Sequence, residues 1–308
     1  MNIKKHQFYR FREVRKIASN FPSPVKRIFR IFYGPRYIIR IALNRVLVFF
    51  GNRPGDTKII FCAGYPKSGT TLIENFICML PGYSGRTIHG QRKIIEMHDL
   101  PDNAFEGITD NCFAAFKTHL TPTTSNISVL LKNNINKVLV MYRDPRDIAL
   151  SQYYHIISPK PWGANHVKYD EYINLSKEAG ITKSLNLVIS EYEDWLNGWH
   201  RANRDIKELD CLFITYEDLK INHGQVISRI ISHFGVNIEE SYAAKIYTKA
   251  TAKKNPSIFG SLLPGMRTTF RKGNIGDWEK EFTDDQKKIA SIKFKLVLSK
   301  YFVNPTSA

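Results

Sequence analysis

One succession of segments constrains the fold of this chain more than any other feature. Residues 58–63 form a short apolar run, which is typical of a buried parallel strand. Residues 64–71 follow with the sequence Gly-Tyr-Pro-Lys-Ser-Gly-Thr-Thr. Residues 71–80 then show a helical pattern that stops at Pro81-Gly82. The sequence therefore predicts a strand, a polar loop and a helix in direct succession.

The loop of residues 64–71 has the composition of an anion-binding site. A helix N-terminus presents unpaired backbone N–H groups and a favourable dipole, and Gly64 and Gly69 let the backbone approach an anion closely. A charge and three hydroxyls complete the loop: Lys67, Ser68, Thr70 and Thr71. The alternative is a polar turn in which a hydroxyl caps the helix. The lysine precedes the second glycine, so the Walker A pattern of ATPases and kinases is not met.

The remaining apolar and helical patterns alternate along the chain. Further strands are predicted at residues 112–118, 137–142 and 211–216, and further helices at residues 145–157, 185–209, 225–234 and 284–298. This alternation predicts an α/β protein with a central parallel sheet and helices on both faces. We expect one domain over residues 56–308, with the loop 64–71 in the position of a P-loop.

A basic arm over residues 1–55 precedes that domain. The whole chain of 308 residues carries a net charge of +17, which favours anionic partners such as phosphorylated cofactors, nucleic acid, glycans or a membrane surface. Residues 36–50 predict an amphipathic helix with basic positions on one face, which suits either an anionic membrane or packing on the domain. We expect a cytoplasmic protein with membrane contact through residues 26–50, without a secretory signal or a membrane-spanning segment.

The four cysteines are widely spaced and lack the spacing of metal ligands. They are expected to be buried thiols in a reducing compartment, and no structural zinc site is predicted.

A second anion site is predicted where the strand of residues 137–142 ends. Arg143 follows the strand, at the edge where parallel sheets bind ligands, and Pro145 suits the first turn of the next helix. Ser151 lies about two turns into that helix, so a phosphate could accept hydrogen bonds from both Arg143 and Ser151. The alternative is an ion-paired turn of Arg and Asp residues.

These segments, taken in order, resemble the cytosolic-type sulfotransferase family. Residues 65–71 are similar to its 5′-phosphosulfate loop, and Arg143 with Ser151 is similar to its 3′-phosphate motif. Residues 271–278, Arg-Lys-Gly-Asn-Ile-Gly-Asp-Trp, are similar to its R-K-G-x-x-G-D-W element. The resemblance implies a donor, 3′-phosphoadenosine 5′-phosphosulfate (PAPS), which yields adenosine 3′,5′-bisphosphate (PAP) when its sulfuryl group passes to a hydroxyl or amine.

The resemblance also implies roles for individual residues. His119, in the family's K-T-H-L element, is expected to be the general base, and Lys67 is expected to contact the leaving phosphate. Lys117 is expected to neutralise the transferring sulfuryl oxygens. The donor-binding set is Lys67, Ser68, Gly69, Thr70, Thr71, Arg143, Ser151, Tyr216, Arg271, Lys272 and Gly273. No metal is expected, because no acidic cluster suited to Mg²⁺ follows a strand.

The chain departs from the family pattern at two places. Leu72 stands where the family often has a tryptophan that stacks on adenine, and Thr283 is followed by Asp284 rather than by the valine of the family's dimer element. The expected acceptor is a small molecule, a lipid-linked compound or a glycan, and no specific nucleic acid is expected. Two rival functions are a P-loop nucleotide kinase, which would require Mg²⁺ and ATP, and a non-enzymatic binder of polyanions or membranes.

Overall fold

The computed structural model describes residues 54–86, 88, 98–108, 113–158, 166–252 and 273–302. Most of the predicted N-terminal arm, including residues 26–50, lies outside the described residues, as do Arg271 and Lys272.

Five parallel strands form the sheet of the described residues, in the spatial order β2-β3-β1-β4-β5. The strands are β1 Ile59–Gly64, β2 Tyr83–Arg86, β3 Phe113–Thr118, β4 Lys137–Tyr142 and β5 Asp210–Thr215. The helices that precede β5 are α1 Thr70–Ile77, α2 Thr124–Lys132, α3 Pro145–Ile157 and α4 Lys177–Asp205. Those that follow β5 are α5 Tyr216–Ile221, α6 His223–Phe234, α7 Glu240–Ala252, α8 Trp278–Glu281, α9 Asp284–Lys293 and α10 Lys295–Tyr301.

Apolar layers cover both faces of the sheet. Successive residues of a strand point to opposite faces, so Phe61 and Ala63 enter one core whereas Ile60 and Cys62 enter the other. Helices α2, α3 and α4 contribute to the first core, and helices α1, α6 and α7 contribute to the second. The predicted α/β class with helices on both faces is confirmed.

Several predicted boundaries differ from the structure. The predicted helix 185–209 begins earlier, at Lys177, where the Ser176 side chain accepts a hydrogen bond from the Ala179 N–H and caps it. The predicted helix 284–298 is two helices that meet at Phe294. The edge strand β2 was not predicted, because it is only four residues long and contains Ser and Gly.

The carboxyl ends of four strands meet at one edge of the sheet. The loop of residues 64–71 follows β1, the segment of Lys117 and His119 ends β3, Arg143 follows β4, and Tyr216 follows β5. Open α/β sheets bind ligands at this edge, next to the point where the chain connections diverge to either side. Within the described part of the chain, none of the helices combines the length and the apolar character that crossing a bilayer requires.

Candidate active site

The loop of residues 64–71 joins β1 to α1 without a side-chain cap. Gly69 occupies the N-cap position of α1 in the left-handed conformation, with φ 94°, and none of the described side chains caps the first turn. The alternative of a Ser- or Thr-capped turn is therefore wrong. The first N–H groups of the helix stay available to an anion.

Ser68 supplies a second indication that the loop can bind an anion. Its side chain is completely buried, and its Oγ has no hydrogen-bond partner among the described residues. A buried hydroxyl without a partner is costly, because it has lost water and gained no replacement. An acceptor oxygen seated in the loop would remove that cost.

Lys67 adopts a backbone conformation that is unfavourable for a residue with a side chain. Its φ is 72°, in the left-handed region. Such a conformation costs on the order of 1 kcal/mol or more and is concentrated at ligand-binding sites. The strain at Lys67 therefore agrees with its predicted place in a binding loop.

His119 lies one residue beyond β3 and faces the same loop. Its Nδ1 is 2.6 Å from the carbonyl oxygen of Gly64. A carbonyl can only accept, so the hydrogen bond places the proton on Nδ1 and leaves Nε2 with a lone pair. The imidazole is consequently oriented as a proton acceptor.

Burial lowers the pKa of His119 to about 4, and the cations of Lys117 and Lys67 act in the same direction, whereas the Gly64 hydrogen bond opposes them. His119 is therefore neutral at physiological pH and able to accept a proton. The ring of His98, which was not predicted, lies 6.5 Å from the His119 ring between centroids. Spacing in the sequence gives no signal for this pair.

Lys117 is the penultimate residue of β3, two positions before His119. Its Nζ donates to Thr71 Oγ1 at 3.2 Å and lies 3.5 Å from Glu74 Oε2. The strand ends at Thr118, so Lys117 belongs to the strand and His119 does not. The two side chains are nevertheless close enough for Lys117 to affect the pKa of His119.

Helix α4 anchors the segment that carries His119. The indole N–H groups of Trp195 and Trp199 both donate to the carbonyl oxygen of Leu120, at 2.9 Å and 3.3 Å. Both side chains are buried. The sequence predicted a helix over these residues but neither of the two contacts.

Arg143 is buried at the second predicted anion site. Its Nη2 donates to the carbonyl of Asn274 at 2.7 Å and lies 3.3 Å from Asp147 Oδ2, while its Nε has no partner among the described residues. The Arg–Asp ion pair of the alternative interpretation thus exists, but it is buried rather than on the surface. The guanidinium carbon also lies 4.4 Å from the centroid of the Tyr216 ring.

The chain segment after residue 272 closes over Arg143. The N–H groups of Gly276 and Trp278 donate to the carboxylate of Asp147, at 2.9 Å and 3.3 Å. The Tyr216 hydroxyl donates to the carbonyl of Gly273 at 2.8 Å. The structure thus brings together Arg143, Tyr216 and Gly273, with Ser151 half-buried in α3.

A comparison with known protein families identifies the family of this chain. The family model described as the sulfotransferase domain matches residues 57–300. The chain belongs to the sulfotransferase family. It is therefore an enzyme that transfers sulfuryl groups, as its motifs predicted.

Curated sulfotransferases resemble the chain over most of its length. Sulfotransferase 1E1 of the guinea pig (Cavia porcellus) is 27% identical, over 76% of this chain and 80% of that protein. Sulfotransferase 1C2 of the rat (Rattus norvegicus) is 28% identical, over 76% of this chain and 80% of that protein.

Solved structures confirm the sulfotransferase fold. The crystal structure of mouse sulfotransferase SULT7A1 complexed with PAP has a TM-score of 0.56 at 21% identity, covering 81% of this chain and 86% of that one. The structure of retinol dehydratase with retinol and PAP has a TM-score of 0.52 at 17% identity, covering 82% of this chain and 84% of that one. Among the described residues of the present sulfotransferase, no group of three or more His, Cys, Asp or Glu side chains could hold a metal ion.

Proposed function

We propose that this sulfotransferase moves a sulfuryl group from PAPS to a hydroxyl, or an amine, of a small-molecule acceptor, with His119 as the general base. One observation carries the assignment of the base. The Gly64 carbonyl holds the Nδ1 of His119 at 2.6 Å, and burial keeps the ring neutral, so the lone pair beside the anion loop is on Nε2.

The chain's own groups fit the 5′ end of this donor. Three groups suit a phosphosulfate seated in the loop: the Ser68 Oγ, which has no partner among the described residues, the N-terminus of α1, which no described side chain caps, and the positively charged Lys67. When bound, the donor supplies an activated sulfuryl group and a bisphosphate leaving group. Lys67 would stabilise negative charge on the departing phosphate, and Lys117 would stabilise charge on the sulfuryl oxygens.

The 3′-phosphate of the donor is assigned to the Arg143 site. Arg143 retains an Nε donor without a partner in the described part of the chain, and the half-buried Ser151 lies on the helix that begins beside it. The backbone of Gly273 and the charges of Arg271 and Lys272 would complete the site, by the resemblance of residues 271–278 to the family element. Residues Thr70, Thr71 and Gly69 would add the first turn of α1 to the 5′ site.

His119 would act by accepting the acceptor's proton at Nε2. The proton makes the ring an imidazolium, and the hydrogen bond from Nδ1 to Gly64 then stabilises that cation. General base catalysis of this kind typically contributes about 10²- to 10⁴-fold. His119→Ala should therefore lower kcat by about that factor, with no effect on PAP affinity.

The central test is an assay with labelled PAPS and a panel of phenols, sterols, amines and glycolipids, together with PAP calorimetry in EDTA. We expect transfer to at least one class and PAP binding without Mg²⁺. His223→Ala, at the exposed start of α6, is the matched control for His119→Ala. Tight binding of ATP with Mg²⁺ and no binding of PAP would overturn the proposal in favour of a kinase.

We further propose that residues 56–308 form the catalytic domain and that residues 1–55 bring it to an anionic membrane surface in the cytoplasm, through residues 26–50. The net charge of +17 supports this, as does the apolar ligand retinol in the structure of retinol dehydratase. Deleting residues 1–55 should abolish binding to phosphatidylserine vesicles while leaving PAP binding intact. Unchanged vesicle binding would contradict the role of the arm, and a lipid-linked acceptor would lose its main support.

A further inference from the structure

A buried tyrosine on α4 holds the backbone of the arginine assigned to the 3′-phosphate. The Tyr192 hydroxyl donates to the carbonyl oxygen of Arg143 at 2.6 Å and accepts from the Arg143 N–H at 3.4 Å. Its side chain is completely buried, and burial raises the pKa of its hydroxyl well above the ordinary value, so the hydroxyl keeps the proton it donates.

The position of Arg143 in the sheet explains why this contact matters. The parallel ladder between β4 and β5 ends at the pair Tyr142 and Thr215, so Arg143 is the first residue whose backbone has left the ladder. Buried backbone N–H and carbonyl groups need partners. The Tyr192 hydroxyl is the partner of both the N–H and the carbonyl of Arg143, in place of the ladder hydrogen bonds that end one residue earlier.

The next residue is held in a similar way from another element. The backbone N–H of Asp144 donates to Glu217 Oε1 at 3.2 Å. The Arg143–Asp144 backbone is thus held by Tyr192 from α4 and by Glu217 from α5. The guanidinium of Arg143 depends on this placement to reach Asn274 and the ring of Tyr216.

Tyr192 also touches the loop of residues 64–71, but through its ring rather than its hydroxyl. The rings of Tyr192 and Tyr65 meet edge to face, with 5.0 Å between centroids. Replacing Tyr192 by phenylalanine keeps that ring contact and removes only the hydroxyl. The substitution therefore removes the contact with the 3′ site and leaves the contact with the 5′ loop in place.

We infer that Tyr192 is a positioning residue that sets the preference of this enzyme for a nucleotide with a 3′-phosphate, by fixing the backbone of Arg143. The inference rests on the proposed function, since it assigns Arg143 to that phosphate. Tyr192 acts through Arg143 and does not itself touch the nucleotide.

The test compares two ligands in three proteins. Calorimetry gives the Kd of adenosine 3′,5′-bisphosphate and of adenosine 5′-monophosphate for the wild type, Tyr192→Phe and Tyr83→Phe. Tyr83 is the matched control, because its buried hydroxyl donates to the Thr57 carbonyl at 2.6 Å at the opposite edge of the sheet. Tyr192→Phe should weaken bisphosphate binding about tenfold and change monophosphate binding by less than about twofold, whereas Tyr83→Phe should change neither.

A double-mutant cycle with Arg143→Ala shows whether Tyr192 works through the arginine. In the Arg143→Ala background, Tyr192→Phe should alter bisphosphate affinity by less than about twofold. Two results would overturn the inference and leave Tyr192 a structural residue. One is that Tyr192→Phe still weakens bisphosphate binding about tenfold in the Arg143→Ala background, and the other is that Tyr192→Phe weakens the binding of both ligands equally. A wild-type protein that binds the two ligands equally would overturn the proposed function itself.

Discussion

Gly69 lies directly against the ring of Tyr216. A β-carbon built on Gly69 would come within 2.5 Å of Tyr216 Cδ2 and within 3.0 Å of Met141 Cε. The anion loop after β1 and the tyrosine after β5 therefore fit together across the site without room for a methyl group. This contact links the loop proposed for the 5′ group to the Arg143 site proposed for the 3′-phosphate.

Gly69→Ala should impair both folding and nucleotide binding. The alanine would need φ 94°, which is unfavourable for any residue with a β-carbon, and it would displace Tyr216. We expect a loss of about 1–3 kcal/mol in the free energy of unfolding and at least a tenfold weaker affinity for PAP.

The matched control for this change is Gly224→Ala. Gly224 lies in the first turn of α6, where a β-carbon would meet nothing within 4 Å. Alanine there should be neutral or stabilising by up to about 1 kcal/mol. Urea unfolding and PAP calorimetry on both variants distinguish the two outcomes, and a Gly69→Ala enzyme that behaves like Gly224→Ala would contradict the close fit.

The pH profile should reveal the low pKa of His119. Burial lowers this pKa to about 4, so the base stays neutral and active well below pH 6.5. We expect kcat/KM to be flat on the acid side from about pH 8 down to about pH 6, and to fall only at lower pH. An acid limb with its midpoint at or above pH 6.5 would show that the base is not the buried imidazole described above.

A second, half-buried histidine should make folding stability depend on pH. The His200 ring is stacked between Phe213 and Tyr301, at centroid distances of 3.9 Å and 4.5 Å, and its Nε2 has no partner among the described residues. Burial lowers the pKa of His200 to about 4. Between pH 6.5 and pH 4 the unfolded chain therefore binds a proton that the folded protein does not bind, and stability falls as the pH falls.

His200→Phe tests this dependence by removing the titrating group while keeping an aromatic ring in the stack. The urea midpoint of the wild type should drop between pH 7.5 and pH 5 by more than that of His200→Phe. Equal drops in the two proteins would mean that His200 does not contribute, and that other groups set the acid sensitivity.

Asp147 should control how firmly the segment of residues 273–278 closes on the site. Its carboxylate accepts from the N–H groups of Gly276 and Trp278 and pairs with Arg143. Asp147→Asn removes the charge and one acceptor, so we expect a loss of about 2 kcal/mol in stability. Faster amide exchange at Gly276 and Trp278 and weaker PAP binding should accompany that loss.

Asp205→Asn is the control for Asp147→Asn. Asp205 is largely exposed and pairs with the adjacent Arg204, so its charge should contribute little to the free energy of unfolding. Protection at Gly276 and Trp278 should be unchanged in this variant. If both variants have the same effect, the loss reflects net charge and not the closure of this segment.

Much of the fold was predictable because its signals are local. The strand at residues 137–142 and the helix at residues 145–157 have the predicted bounds, since an uninterrupted apolar run is followed by Asp144 and Pro145, a helix cap and a first-turn proline. Short or polar elements were missed. The edge strand Tyr83–Arg86 and the helix Thr124–Lys132 lack a strong apolar pattern and depend on neighbours for their stability.

The sequence by itself determined the order of the motifs and the chemistry of their side chains, which sufficed to predict the family. Only the tertiary structure decided which of them work together. His119 meets the Gly64 carbonyl across 55 residues, and Arg143 meets Asn274 across 131 residues. Periodicity and capping act over a few residues, whereas these pairings arise because the parallel sheet brings the ends of distant strands to one edge and the packing of α4 places Tyr192 beside them.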